Sequence, residues 1–132
     1  MRPPRPLTTK NGALRALGRE AATALERLRR LCGDWDGVEE SLSFGHPTLR
    51  VGGVPFAVLD RYGGSDCLWL KVPPEARSAL RATPGWFAAP YDPRQTALCV
   101  RLEAIDWRRM RAHLRVSYAL AAAPRGRRSG GR

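Results

Sequence analysis

From Ala13 to Cys32 the apolar positions Leu14, Leu17, Ala21, Leu25, Leu28 and Cys32 return at intervals of three and four. That repeat lays one stripe along one face of a helix, and Gly33 follows where helices commonly end. The period then changes. In "VEESLSF" the positions Val38, Glu40, Leu42 and Phe44 alternate with Glu39, Ser41 and Ser43, the mark of a strand with one buried side. "TLRV" and "VPFAVL" follow, joined by Gly52-Gly53, and "CLWLKV" comes after "YGGSD". Paired glycines supply the positive φ angles that tight hairpins need, so these four segments predict an antiparallel meander. Pro73-Pro74-Glu75 opens a short helix, "PEARSALRAT", with proline where its missing N–H costs nothing. "WFAAPYDPRQT" reads as a loop anchored by Trp86 and Phe87, and "ALCVRL" as a fifth strand. Asp106 then caps a helix from Trp107 to about Ala122, with Trp107, Met110, Leu114, Tyr118 and Ala121 on its apolar face.

The order α-β-β-β-β-α-β-α predicts an α+β fold: a two-layer sandwich in which an antiparallel five-stranded sheet carries helices on one face. One domain spans residues 13–123, between a basic lead at 1–12 and a basic, disordered tail at 124–132. If the helices cover one face, the apolar sets must point to them: Leu42 and Phe44, Leu49 and Val51, Phe56 and Val58, Leu68 and Leu70, Leu98 and Val100. Alternation then turns Ser41, Ser43, Thr48, Arg50, Ala57, Trp69, Lys71, Cys99 and Arg101 outward. Cations beside an exposed ring suit nucleic acid, since the charges pair with phosphates while a base stacks on the ring. The same arrangement also suits the solvated side of any open sheet.

Charge adds to this picture less than its size suggests. The 132 residues carry a formal charge of +11, and cationic surfaces attract polyanions. Yet Arg2, Arg5, Lys10, Arg125, Arg127, Arg128 and Arg132 lie in the lead and the tail, leaving +4 for residues 11–124. Only Lys10 and Lys71 are lysines, a bias that codon usage in a GC-rich genome would produce alone. On the last helix Arg108, Arg111 and Arg115 recur at three and four, a cationic ridge or simply a solubilising face.

Cys32, Cys67 and Cys99 are scattered, without Cys-x-x-Cys or a histidine at ligand spacing. They read as reduced, mostly buried thiols of a cytoplasmic protein, with no disulfide frame, metal site or cofactor. No apolar run approaches the ~18 residues of a membrane span. His46 sits in the corner Gly45-His46-Pro47, where proline forces extended backbone, and His113 lies on a helix with no spacing motif linking the two. Without a nucleophile motif, a phosphate loop or a paired-acid pattern, no catalytic residue is assigned and a non-enzyme is expected.

The segments "GHPTLRVGGVPFAVL" at 45–59, "LWLKVPPEAR" at 68–77, "APY" at 89–91, and "VRL", "DW" and "SY" between 100 and 118 resemble the MmcQ/YjbR family. The resemblance runs from about Leu28 to Ala121. It implies a CyaY/frataxin-like sandwich and a DNA-binding role through a "double-wing" of β-hairpins. Carried to this chain, the wings are the hairpins at Gly52-Gly53 and Gly63-Gly64, with Arg50, Arg61 and Lys71 nearest to phosphates. Ala97 stands where members tend to have tryptophan, and the acidic ridge that frataxin-like proteins use for iron is missing. The resulting expectation is a monomeric DNA-binding protein contacting nucleic acid through Thr48, Arg50, Arg61, Trp69, Lys71, Arg101, Arg108, Arg111 and Arg115. The alternative is a module that receives an acidic protein segment on the same face.

Overall fold

A computed structural model describes residues 8–9 and 12–124; the charges of the lead at Arg2, Arg5 and Lys10 and those of the tail lie outside the described residues. Thr8–Thr9 (β1) and Gly12–Ala13 (β2) pair as a two-residue ladder. Helix α1 runs Arg19–Cys32, and strands β3 (Val38–Ser43), β4 (His46–Val51), β5 (Val54–Tyr62) and β6 (Ser65–Lys71) form the meander. Helix α2 (Pro74–Arg81), strand β7 (Trp86–Ala88), strand β8 (Ala97–Arg101), a 3-10 turn at Leu102–Ala104 and helix α3 (Trp107–Ala122) complete the order. All neighbours in the main sheet are antiparallel, in the order β3-β4-β5-β6-β8-β7.

The α+β architecture is as expected, with two revisions. The sheet has six strands, because Trp86–Ala88, expected as loop, pairs with Leu98–Val100 at the edge. Three residues are too few to display an alternation. Gly85 leads into β7 at φ +90, and a Cβ there would run into the Ala104 Cβ, so only glycine fits this entry. The first helix begins at Arg19 and not near Ala13. Upstream of it the backbone turns to the β3–β4 turn, where the Arg15 amide donates to the Gly45 carbonyl at 3.0 Å. Leu14 is exposed while Leu17 still packs on the core.

The main core lies between the sheet and α1 and α3. Phe56, Leu59, Leu68, Leu70 and Val100 meet Leu28, Met110 and Leu114 there. Asp106 caps α3 as expected, its side chain accepting from the amides of Arg108 and Arg109. Trp35, Phe56 and Tyr118 form an aromatic knot with centroids 5.3 to 6.3 Å apart, and the Tyr118 hydroxyl donates to the Asp36 carbonyl at 2.6 Å.

One irregularity redirects half of β5. Arg50 faces Pro55 while Leu49 faces Ala57, so Phe56 is an extra residue, a β-bulge that shifts the alternation by one. The expected inward Val58 therefore shares the far face with Thr48 and Trp69, and the expected outward Ala57 joins Leu49 and Leu70 in the core. Ser117 of α3, wholly buried on the apolar face, fits this bulge. Its hydroxyl donates to the Phe56 carbonyl at 2.6 Å and accepts from the Lys71 amide at 2.9 Å. A buried backbone group without a partner would cost ~1–3 kcal/mol, and one hydroxyl satisfies two.

Candidate nucleic-acid interface

The cross-strand register places Ser41, Thr48, Val58, Trp69, Cys99 and Phe87 in one row on the sheet face away from α1 and α3. The chain after β7 folds over part of this face. Beneath it Cys67, Ala97 and Cys99 are fully buried with Ala89, and Trp69, Tyr62 and Phe87 pack around them. Cys99, expected outward, is thus sealed: position parity chose its face, but the returning chain covers it. Its hydrogen bond with the neighbouring Cys67 thiol, and burial after that, raise its pKa.

Where that cover stops, a groove of about 540 Å³ remains, lined by Trp69, Val58, Tyr62, Pro55 and residues of the β3–β4 turn and the β7–β8 connection. Phe44 and Tyr91 line it too, 74% and 95% exposed. Both hold positive φ, +50 and +59, a left-handed conformation that costs bulky residues ~1–2 kcal/mol. Phe44 was expected in the core. The turn instead throws it outward, because the strand ends at Ser43 and the alternation ends with it. The sequence marked Tyr91 only as part of "APY", one of the segments of family resemblance, and gave it no role of its own.

His46 forms one wall. Arg15 Nε donates to its Nδ1 at 2.7 Å, and its Nε2 lies 3.3 Å from Asp60 Oδ1. The Tyr62 hydroxyl donates to Asp60 Oδ2 at 2.8 Å and the Arg61 amide to Oδ1 at 2.8 Å. The geometry assigns the ring proton to Nε2, since Nδ1 is accepting. Burial lowers the His46 pKa and Arg15 adds to this, against the opposing pull of Asp60 and Asp66. Ser43 lines the same groove, but both imidazole nitrogens are engaged, so none is left to take a proton from its hydroxyl. Arg15 and Arg61 also reach Asp66, at 3.0 and 3.1 Å. The wall is electrically balanced and reads as a scaffold for the turn, the corner role expected for His46 with an unexpected carboxylate partner.

The other residues singled out by sequence divide. Thr48 is 1% exposed, and its hydroxyl donates to the His46 carbonyl at 3.0 Å. It supports the turn and offers nothing to a ligand. Arg50 crosses the face to the Ser41 hydroxyl at 2.8 Å and the Gly53 carbonyl at 3.1 Å. Lys71 Nζ lies over the Trp69 ring at 5.7 Å. Arg101 stacks on Phe87 at 4.4 Å while donating to the Tyr62 carbonyl at 2.9 Å. Arg50 and Arg101 thus bond only neutral oxygens among the described residues, which fixes the guanidinium without cancelling its charge. Arg61 is paired with Asp66.

Arg108, Arg111 and Arg115 lie on the helical side, away from the groove. Arg115 stacks over Trp35 and Tyr118 at 4.8 and 4.9 Å. Arg108 belongs to a cluster that sequence periodicity could not disclose, because it joins two helices. Trp107 sits between α1 and α3 with Arg27 over its ring at 5.5 Å. Two grooves, of about 440 and 320 Å³, flank it and share Arg27 and Trp107; Arg19 and Glu20 line the first, and Arg30 and Arg108 the second, which holds no acid.

No group of three or more metal-ligating side chains occurs among the described residues, and no described helix is long and apolar enough to cross a membrane. The fold is similar to that of Deinococcus radiodurans protein DR2400, which carries a DUF419 domain: TM-score 0.66, 23% identity, 80% of this chain and 86% of that one covered. A Pseudomonas syringae protein matches with TM-score 0.61 and 16% identity over 80% and 99% of the two chains. No curated protein matches the sequence. The YjbR family model matches residues 34–120, from the turn before β3 almost to the end of α3. The chain therefore belongs to the YjbR family.

Proposed function

We propose that this chain is a non-enzymatic DNA-binding protein whose far sheet face takes a single-stranded or locally opened segment. One observation carries the reading: Trp69 lies in a groove whose rims are the exposed, backbone-strained rings of Phe44 and Tyr91. Strain kept in two solvent-facing aromatics brings the fold no packing, so its use is sought in a ligand. An unpaired base stacks on such rings at ~1–3 kcal/mol each. Arg50 and Arg101, held in place by neutral oxygens on the same face, are positioned for phosphates, with Lys71 beside them over the Trp69 ring.

A salt titration of single-stranded DNA binding, followed by Trp fluorescence, tests this. With about four phosphates engaged, log affinity should fall against log salt with a slope near −3. Arg50→Ala and Lys71→Ala should each reduce the slope by roughly 0.7. Unchanged slopes in both variants would remove the sheet face from the reading. A second reading, an acidic protein segment in the same groove, is favoured by the largely apolar lining that Pro55, Val58 and Pro90 contribute. Retention of a nuclease-resistant protein with no DNA in an affinity capture would select it.

A further inference from the structure

The helical face carries a second cationic and aromatic surface that the sheet-face site does not use. We infer that it holds the phosphate backbone of a second nucleic-acid segment, so that one molecule bridges two. This inference rests on the DNA-binding reading proposed above and extends it to the opposite side of the fold.

Trp107 is the centre of this surface, with Arg27 stacked on it and Arg30 and Arg108 completing one groove. Ion pairs on the two helices lie elsewhere: Arg29 joins Glu26 and Glu40, at 3.0 and 2.8 Å, and Arg109 joins Asp106 at 3.6 Å. Arg27, Arg30 and Arg108 take part in no ion pair among the described residues. Three guanidinium groups sharing a groove of about 320 Å³ repel one another. Bridging phosphate oxygens would relieve that repulsion through charge-assisted, bidentate bonds. Arg111 stands one turn further along α3, exposed, and extends the track. The main core and the sheet lie between this surface and the Trp69 groove. A short duplex therefore cannot touch both, and two segments can.

The test uses the full chain and two short duplexes, each with a single-stranded overhang, one carrying a donor fluorophore and the other an acceptor. Bridging predicts energy transfer that rises with protein, then falls in excess protein as each duplex acquires its own molecule. The triple variant Arg27→Gln/Arg30→Gln/Arg108→Gln alters exposed side chains only, and circular dichroism checks its fold. It should lose at least tenfold in transfer while binding of a labelled single strand alone, read by fluorescence anisotropy, stays within about threefold. Transfer that survives in the variant would overturn the inference by assigning bridging to other charges. Binding without any transfer would overturn it too, and leave the sheet-face reading standing. If Arg50→Ala and Lys71→Ala leave overhang binding unchanged while the triple variant abolishes it, the sheet-face reading fails and the helical face is a single site, not a bridge.

Discussion

Phe44 would separate folding from the proposed binding at a single residue. Its ring is mostly in water and its φ is positive, so it contributes strain without burial. Phe44→Gly should leave stability within ~1 kcal/mol or raise it, because glycine adopts this conformation freely, yet weaken single-strand binding about tenfold. Thermal melts and fluorescence titrations on the same samples would check both halves. His46 and His113 give a second expectation. Burial lowers both pKa values, reinforced at His46 by Arg15 and at His113 by Arg109. The unfolded chain, with histidine near 6.5, therefore binds protons first as pH falls. Stability is full above about pH 6.5 and declines below it. Unfolding free energies measured between pH 7 and 5 should show this slope, and His46→Gln/His113→Gln should flatten it. Sequence reasoning placed His46 in a corner correctly from Gly45 and Pro47. It had no means of finding Asp60, which lies across the neighbouring strand pair and is brought to the imidazole by register.

At the scale of elements, the bulge at Phe56 and the hydroxyl of Ser117 form one device. Without the extra residue Val58 would enter the core and the groove would lose its floor beside Trp69. Ser117→Ala should destabilise by ~1–3 kcal/mol, since both the Phe56 carbonyl and the Lys71 amide lose their partner in a dry interior. Ser117→Thr or Ser117→Cys would separate lost hydrogen bonding from altered packing, and chemical denaturation measures each. The helices and five of the six main strands were legible in the sequence because alternation and threefold-fourfold spacing run unbroken through them. Inward and outward sets were correct wherever the pleat is regular, as at Leu68, Trp69 and Leu70. They failed at Ala57 and Val58, because a bulge inserts one residue without leaving a mark in polarity. They failed at Phe44, because an aromatic ring beyond the last paired residue looks like one more step of the pattern.

Across the whole molecule the charge is unevenly placed: most of the +11 excess lies in the lead and the tail, outside the described residues. Removing residues 1–7 and 125–132 should weaken affinity for any polyanion and lower the salt slope. Binding of a labelled single strand, read by anisotropy, should persist at reduced affinity if the proposed groove is the binder, because Trp69, Phe44 and Tyr91 lie in the folded part; its loss would mean that the termini did the binding. The cationic surface between α1 and α3 was only half legible: Arg108 and Arg111 follow from helical spacing, but Arg27 and Arg30 become their neighbours through packing alone. The thiols offer a clock for the same fold. Cys67 and Cys99 are shut in by the chain crossing the sheet, whereas Cys32 is inside α1, its thiol pushed up to about 12 by burial. An alkylating reagent should therefore modify the first two at the rate at which that cover lifts, and Cys32 only as fast as the helical layer comes away. Peptide mapping over time would then rank two separate openings of one small protein without any added label.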